Sequence, residues 1–195
     1  MNLTRAEVVA RIPFAESKIQ HARGLALTPD ETKLFVSDYH SRTVAVINTS
    51  TNTVIARVPV GNCPSEIKIS QDGKRAYVLQ QHSTTLMTII DVETHAVLKS
   101  IDFLSMIAAA HDFELSPDEQ YVYIACFDHN FVMVYDLQKE KVAKAIDTGL
   151  DPYNTVSTSD NQLIYVTNFT TDDISVIDTT TNTIIKTIKL GGSTD

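Results

Sequence analysis

The sequence has few cysteines, no cluster of basic residues and no long apolar run. Its two cysteines, Cys63 and Cys126, cannot staple a fold of 195 residues, so they leave the redox compartment open. No run of about 18 apolar residues occurs, and we therefore expect no membrane span. Met1 to Arg11 contain no apolar core of a secretory signal.

Charge and hydropathy define the broad class. Sixteen Lys and Arg residues against 24 Asp and Glu give a net charge of −8, and without a basic run this argues against nucleic acid as a partner. Hydrophobic residues make up 43% of the chain, which is enough for a buried core. We expect one globular domain.

An internal repeat of 42 to 46 residues predicts the architecture. Each repeat contains a turn block, a β-rich pair, a third apolar run that ends in Asn or Asp, and a fourth alternating run. The turn blocks are Thr28-Pro29-Asp30, Ser70-Gln71-Asp72, Ser116-Pro117-Asp118 and Thr158-Ser159-Asp160. Four short strands per repeat are typical of a propeller blade, and no helical period is sustained.

Turn chemistry favours the same reading. Asp30 and its three counterparts hold one turn position in every repeat, and Pro29 and Pro117 supply the fixed φ that a type I turn prefers. The residues that end the third strands can cap their own turns with a side-chain oxygen. These residues are Asn48, Asp91, Asp136 and Asp178. The sequence therefore predicts an all-β fold.

The fourth repeat carries a family resemblance. Tyr165-Val166-Thr167-Asn168, Ile174 to Asp178 and Thr183 to Gly191 resemble the YVTN-type β-propeller repeat of surface-layer and YncE-like propellers. The resemblance extends from about residue 7 to 192, although Ala125-Cys126 replaces Thr-Asn in the third repeat. It implies a propeller, usually of seven blades and often extracytoplasmic, and it implies no reaction.

The predicted blades leave one strand over. We expect a single propeller domain, or part of one, over 1–195. Its four full blades of four antiparallel strands span about 21–61, 62–103, 104–149 and 150–192. Residues 7–14 match residues 53–60 and form an orphan outer strand. Three interpretations follow: a part of a longer propeller, a ring of about eight blades shared by two chains (a homodimer), or four blades that close alone.

Chemistry-bearing residues concentrate on one face of the predicted propeller. This loop face contains the segments before the first strands and the loops between second and third strands. Five of six histidines fall there, together with Glu66, Asp38, Asp128 and both cysteines. The candidate ligand-binding residues are His21, Arg23, His40, His82, His111, Asp112, His129 and Tyr153.

Equivalent loops of adjacent blades lie too far apart to share one metal ion. The plausible neighbours are His40 with Cys63, His82 with His111 and Asp112, and His129 with Tyr153. No HxxxH or CxxC spacing supports a metal, and no motif names a cofactor. The alternative is that the loop histidines are ordinary solvated residues.

Two charges interrupt the apolar first strands at equivalent positions. Lys68 and Glu114 each stand two residues before the turn block. A wet central channel would solvate both side chains. Alternatively, they form a pair that orients a ligand near the axis.

Two functions follow from these patterns. The first is a propeller module that binds a partner protein or a small ligand on the His-rich loop face. The alternative is an enzyme or enzyme subunit with His82, His111 and Asp112 as acid/base or metal groups. The resemblance includes lactonases, lyases and amine dehydrogenase subunits, and no catalytic motif decides between the two functions.

Overall fold

The computed structural model describes residues 21–81, 86–103 and 110–191. These residues form sixteen strands and one short 3-10 helix, Phe127–His129. The orphan strand predicted over residues 7–14 and the candidate His82 lie outside the described residues. Within these ranges, no helix is long and apolar enough to cross a membrane.

Four consecutive antiparallel sheets, here blades 1 to 4, account for all the strands. Blade 1 contains β1 Ala22–Leu27, β2 Lys33–Asp38, β3 Thr43–Asn48 and β4 Thr53–Pro59. Blade 2 contains β5 Pro64–Ile69, β6 Arg75–Gln80, β7 Leu86–Asp91 and β8 Val97–Asp102. Blade 3 contains β9 Ala110–Leu115, β10 Tyr121–Cys126, β11 Phe131–Asp136 and β12 Lys141–Asp147. Blade 4 contains β13 Pro152–Ser157, β14 Leu163–Asn168, β15 Asp173–Asp178 and β16 Thr183–Lys189.

The blades pack face to face around their first strands. β1 lies beside β5, β5 beside β9, and β9 beside β13. An apolar core fills each of the three interfaces, with Phe35 and Val78 between blades 1 and 2 and Tyr77 and Phe113 between blades 2 and 3. This is the arrangement of propeller blades. The predicted all-β propeller fold is confirmed.

The repeated turns form as their sequences predict. In blade 1, the Thr28 hydroxyl donates to Asp30 Oδ1 at 2.6 Å, and the Thr32 amide donates to the same oxygen at 3.1 Å. Ser70 and Asp72 form the equivalent bond at 2.7 Å. Asn48 Oδ1 accepts the amides of the two residues that start the next turn, Ser50 and Thr51. Because these bonds are local, each turn is fixed by its own few residues.

Every first strand contains a bulge near its start. Two residues of the first strand stand opposite one residue of the second strand, at 23–24, 65–66, 111–112 and 153–154. A bulge bends the strand and redirects side chains, and bulges are frequent next to functional sites. The bulge residues are Arg23 and Gly24, Ser65 and Glu66, His111 and Asp112, and Tyr153 and Asn154.

Candidate functional site

The bulges surround a cleft on the side of the blades that faces the propeller axis. This axial cleft has a volume of about 530 Å³. Its lining includes Glu66, Lys68, Asp112, Asn154, Thr155 and Val156. Three of these six are second residues of a bulge, so the backbone irregularity of blades 2, 3 and 4 positions the lining.

An ion pair lies at one end of the axial cleft, where Lys68 is part of the lining. Lys68 Nζ lies 2.6 Å from Glu114 Oε1 and 3.8 Å from Asp112 Oδ1. Lys68 and Glu114 also line a second cleft of about 270 Å³ towards the opposite end of the strands. The two residues predicted to lie near the axis therefore contact each other directly, at the boundary between the two clefts.

Asp112 is held by the next blade. The Thr155 amide donates to Asp112 Oδ2 at 2.8 Å, and the Thr155 hydroxyl donates to the same oxygen at 3.1 Å. The amide of Phe113 donates to Asp112 Oδ1 at 2.8 Å. These bonds fix the carboxylate and join blade 3 to blade 4.

Glu66 is the carboxyl group whose environment disfavours its charge. Burial raises its pKa above the ordinary value, and the Asp112 carboxylate raises it further. Lys68 and Arg23 oppose this shift through their positive charges, and no hydrogen bond contributes to it. A partly buried carboxyl with a raised pKa beside a second carboxyl is typical of functional sites.

Aromatic rings gather on the loop face between blades 3 and 4. The His111 ring stacks on the Tyr153 ring, with centroids 4.1 Å apart and an interplanar angle of 28°. Phe127 lies 5.0 Å from His111, and Phe169 lies 6.1 Å from Tyr153. These four residues are called the aromatic cluster below. Its outer member, Phe169, is 68% exposed.

A second group of rings lies at the loop face of blade 1. The rings of His21 and His40 are 4.3 Å apart, and Arg23 lies 5.2 Å from the Tyr39 ring centre. Burial raises the pKa of Tyr39, as does its hydrogen bond with Cys63, while Arg23 acts in the opposite direction. This region is assembled from the start of blade 1, its β2–β3 loop and the entry to blade 2.

Apart from His129 and His82, the candidates predicted from the sequence fall into three places. Asp112 and Lys68 line the axial cleft, and Glu114 pairs with Lys68. His111 and Tyr153 belong to the aromatic cluster. His21, Arg23 and His40 lie together at the loop face of blade 1. His129 lies in the 3-10 helix, with its ring 5.7 Å from Phe131.

The expected neighbours differ in part. Tyr153 stacks on His111, a residue of the adjacent first strand, where the sequence suggested His129. The Cys63 side chain meets Tyr39, the residue before the suggested His40.

Three contributors were not among the sequence-based candidates. The sequence placed Glu66 on the loop face but not among the candidate ligand-binding residues, although it stands at the same repeat position as Asp112. Phe127 and Phe169 follow the second strands of blades 3 and 4 directly, where each aligns with Tyr39 of blade 1. The repeat alignment therefore contained a signal for the aromatic positions as well.

Cys126 is not placed to act as a nucleophile, and the described side chains form no site for a metal ion. Burial raises the pKa of Cys126 to about 12, so its thiol stays protonated at neutral pH. In the described part of the chain, no three His, Cys, Asp or Glu side chains are placed to hold one metal ion.

Known proteins share this sequence pattern and this fold. The family model of YncE-like β-propellers matches residues 8–195. The seven-bladed β-propeller protein Rv1057 of Mycobacterium tuberculosis is 31% identical over 119 residues, which make up 60% of this chain and 29% of that protein.

Solved structures agree on the fold. Hydrazine synthase from Kuenenia stuttgartiensis matches with a TM-score of 0.76 at 18% identity, over 100% of this chain and 54% of that chain. A functionally unknown protein from Desulfotomaculum acetoxidans matches with a TM-score of 0.77 at 17% identity, over 88% of this chain and 57% of that chain. The chain thus spans 29% to 57% of the length of these relatives. Because the family model covers nearly all of the sequence, the chain belongs to the YncE-like β-propeller family.

Proposed function

We propose that this chain is a ligand-binding propeller module whose site is the axial cleft, entered past the aromatic cluster on the loop face. One observation carries the proposal: the bulges of blades 2 and 3 direct Glu66 and Asp112 towards one cleft of about 530 Å³. That volume lies in the range of small-molecule sites, which are clefts with a few convergent polar groups.

The charges around the cleft favour a ligand with a positively charged group. Glu66 and Asp112 supply two carboxyl groups to the lining, while the one lining cation, Lys68, is already paired with Glu114, and Arg23 acts on Glu66 from beside the cleft. Thr155 satisfies one oxygen of Asp112. Glu66 is therefore the carboxyl that gains most from a cationic partner, since a nearby positive charge stabilises its ionised form.

The apolar part of the cleft fits an organic ligand better than a bare ion. Val156 is 58% exposed within the lining, and Tyr165 and Ile174 extend the same surface. An amine with an aromatic or aliphatic body could place its charge at Glu66 and its carbon skeleton on this surface. Such a division of roles is usual in small-molecule sites.

The test uses three probes with one carbon skeleton: 2-phenylethylamine, phenylacetate and 2-phenylethanol. Each is titrated into ¹⁵N-labelled protein while the amide signals of Glu66, Asp112 and Thr155 are followed. We expect saturable shifts with the amine alone, lost in Glu66→Gln. Glu93→Gln is the matched control, because Glu93 pairs with Lys33 at the opposite end of the strands. Equal shifts with all three probes, or none with the amine, would contradict the proposal.

An enzymatic role is the second candidate, and the raised pKa of Glu66 favours it. A carboxyl whose pKa is raised above its ordinary value can act as a general acid or base. Hydrolysis of a small lactone, δ-valerolactone, can be followed by acid release with wild-type protein and with Glu66→Gln. Turnover that Glu66→Gln abolishes would favour the enzyme, whereas no turnover by the wild type leaves the binding role.

A further inference from the structure

A carboxylate lies between blades 2 and 3 at the end of the strands that carries the turn blocks, here called the turn face. Arg75 Nη1 donates to Glu119 Oε2 at 2.7 Å, and the Tyr77 hydroxyl donates to the same oxygen at 2.6 Å. The Glu119 side chain is 13% exposed. Hydrogen bonds to a charged acceptor are among the strong ones in proteins. Blade 3 therefore supplies an acidic group that two side chains of blade 2 hold.

The interface between blades 1 and 2 lacks this carboxylate. Gly73 stands at the repeat position of Glu119. Lys33 stands at that of Arg75, and Phe35 replaces the tyrosine. Gly73 has φ of 73° and Glu119 has φ of 52°, so both turns use a left-handed residue here. Blade 1 thus keeps the cation, while the equivalent turn position of blade 2 presents no side chain to it.

A cleft lies where the side chain is missing. This turn cleft, between blades 1 and 2, has a volume of about 430 Å³, and the cleft lined by Glu119 between blades 2 and 3 has about 290 Å³. A Cβ at Gly73 would lie 3.3 Å from Pro29 Cδ, across the interface. In the described chain, each cleft is lined by the two blades that form it. Both walls of the turn cleft are therefore present, and its volume suits a small molecule.

Lys33 is the less exposed of the two cations in the lining. Its side chain is 19% exposed, and that of Lys74 is 77% exposed. Lys33 Nζ lies 2.5 Å from Glu93 Oε2, but the Glu93 side chain is 87% exposed. Because water screens an exposed carboxylate, such a pair contributes little to stability. A largely buried ammonium group therefore faces a counterion that is itself mostly hydrated.

Three aspartates in the lining do not exclude a further anion. Asp30, Asp72 and Asp91 each accept hydrogen bonds within their own turns, and these bonds lower their pKa values. Aspartates occupy the corresponding positions around Glu119 as well. The fold therefore accommodates one more carboxylate in equally acidic surroundings when a cation of the preceding blade faces it. The corresponding residues are Asp72, Asp118 and Asp136.

We propose that the turn cleft binds a small organic carboxylate, whose charged group takes the place that the Glu119 carboxylate has between blades 2 and 3. Lys33 pairs with this group, and Lys74 adds a second positive charge from the lining. Pro29 and Val92 offer apolar contacts to the carbon skeleton. Glu93 competes with the ligand for Lys33. The turn cleft shares no lining residue with the axial cleft.

Propionate is the probe, because it reproduces the glutamate side chain beyond the Cα atom. It is titrated into ¹⁵N-labelled protein at constant ionic strength while the amide signals of Gly73, Lys74 and Val92 are followed. We expect saturable shifts with a Kd on the order of 10 mM, which suits a ligand of this size. Propionamide has the same shape without the charge, and it should give no saturable shift.

Three variants locate the site. Lys33→Met should abolish the saturable shifts, and so should Gly73→Glu, which adds the missing side chain. Glu93→Gln should tighten binding about two- to fivefold, because it removes the competing carboxylate. Lys99→Met is the matched control and should leave binding unchanged, since Lys99 forms an ion pair of 2.5 Å with Glu140 outside the turn cleft.

The dispersion of the amide signals shows whether each variant is folded. Wild-type protein without saturable shifts overturns the proposal, and so do equal shifts with propionamide, because the charge would then play no part. Saturable shifts that persist in folded Lys33→Met or folded Gly73→Glu also overturn it. If Gly73→Glu does not fold, the other two variants decide, and unchanged affinity in both overturns the proposal.

Discussion

Replacing Lys68 by methionine tests the electrostatics of the axial cleft. Methionine keeps much of the aliphatic stem and removes the charge, which leaves the Asp112 and Glu114 carboxylates without their shared cation. Each of these side chains is 12% exposed, and Lys68 is 28% exposed. The substitution therefore leaves two negative charges close together in a site that water reaches only in part.

The size of the effect follows from this exposure. Removing one partner of a buried ion pair costs about 3–5 kcal/mol, because the remaining charge stays desolvated. Since water screens the exposed part of Lys68, we expect a smaller loss in the free energy of unfolding, about 2–3 kcal/mol. For a domain of this length, that corresponds to a fall in Tm of about 4–12 °C.

Urea unfolding followed by circular dichroism measures this loss. The full difference in the free energy of unfolding between wild type and Lys68→Met should appear at pH 7. Adding Glu114→Gln to Lys68→Met should recover part of the loss, with a coupling of about 1–2 kcal/mol.

Lys74→Met is the matched control. Lys74 is 77% exposed and lies 3.5 Å from Asp72 on the surface, so its loss should cost less than about 0.5 kcal/mol. Equal stabilities of wild type and Lys68→Met at pH 7 would refute the reasoning, because they would show that solvent screens the charges of Asp112 and Glu114 without help from Lys68.

Three further predictions concern stability. Burial raises the pKa of Glu66 in the folded chain, so its ionised form opposes folding at neutral pH. Glu66→Gln should therefore have a higher free energy of unfolding than wild type at pH 7, and in urea titrations this gain should vanish below about pH 4. The Thr28 hydroxyl lowers the pKa of Asp30 below 3.8, so the ionised Asp30 stabilises the fold above pH 3.8, and this stabilisation is lost as the pH falls further. The free energy of unfolding of Asp30→Asn should therefore fall less steeply with acid than that of wild type. Gly24→Ala should cost about 3 kcal/mol in urea unfolding, since its Cβ would lie 2.0 Å from the Ser65 carbonyl oxygen; wild-type stability would contradict the close approach of β1 and β5.

Features governed by local chemistry were predictable from the sequence. Asp30 and Asp72 fix their turns with neighbours two residues before and after them, so a five-residue pattern contains the whole interaction. The continuous apolar run from Val44 to Ile47 likewise indicates, from one strand alone, a strand that is buried on both faces. Fold class and blade pattern follow from such signals, because each blade repeats them.

The candidate site depends on distant pairings, and these were only partly predictable. The charge environment of Glu66 is set by Asp112, a residue of another blade, and by the bulge that directs it. A bulge is a property of the register between two strands and has no signature within either one. Lys68 and Glu114 occupy equivalent repeat positions, which indicated that both lie near the axis. Their direct contact depends on the distance between blades 2 and 3, which the sequence does not state.

The pattern of repetition itself separates the residues that hold the fold from those available for function. The turn position that Asp30 occupies in blade 1 is aspartate in all four blades, because every blade needs the same local hydrogen bonds. The second bulge position carries Gly24, Glu66, Asp112 and Asn154, although the backbone there is the same in each blade. The fold explains two of these residues, since a Cβ at Gly24 would lie 2.0 Å from the Ser65 carbonyl oxygen and the Thr155 amide donates to Asp112 across the blade interface. Glu66 is the member of this set whose charge is disfavoured by its burial, and it is therefore the residue on which the proposed ligand site most depends.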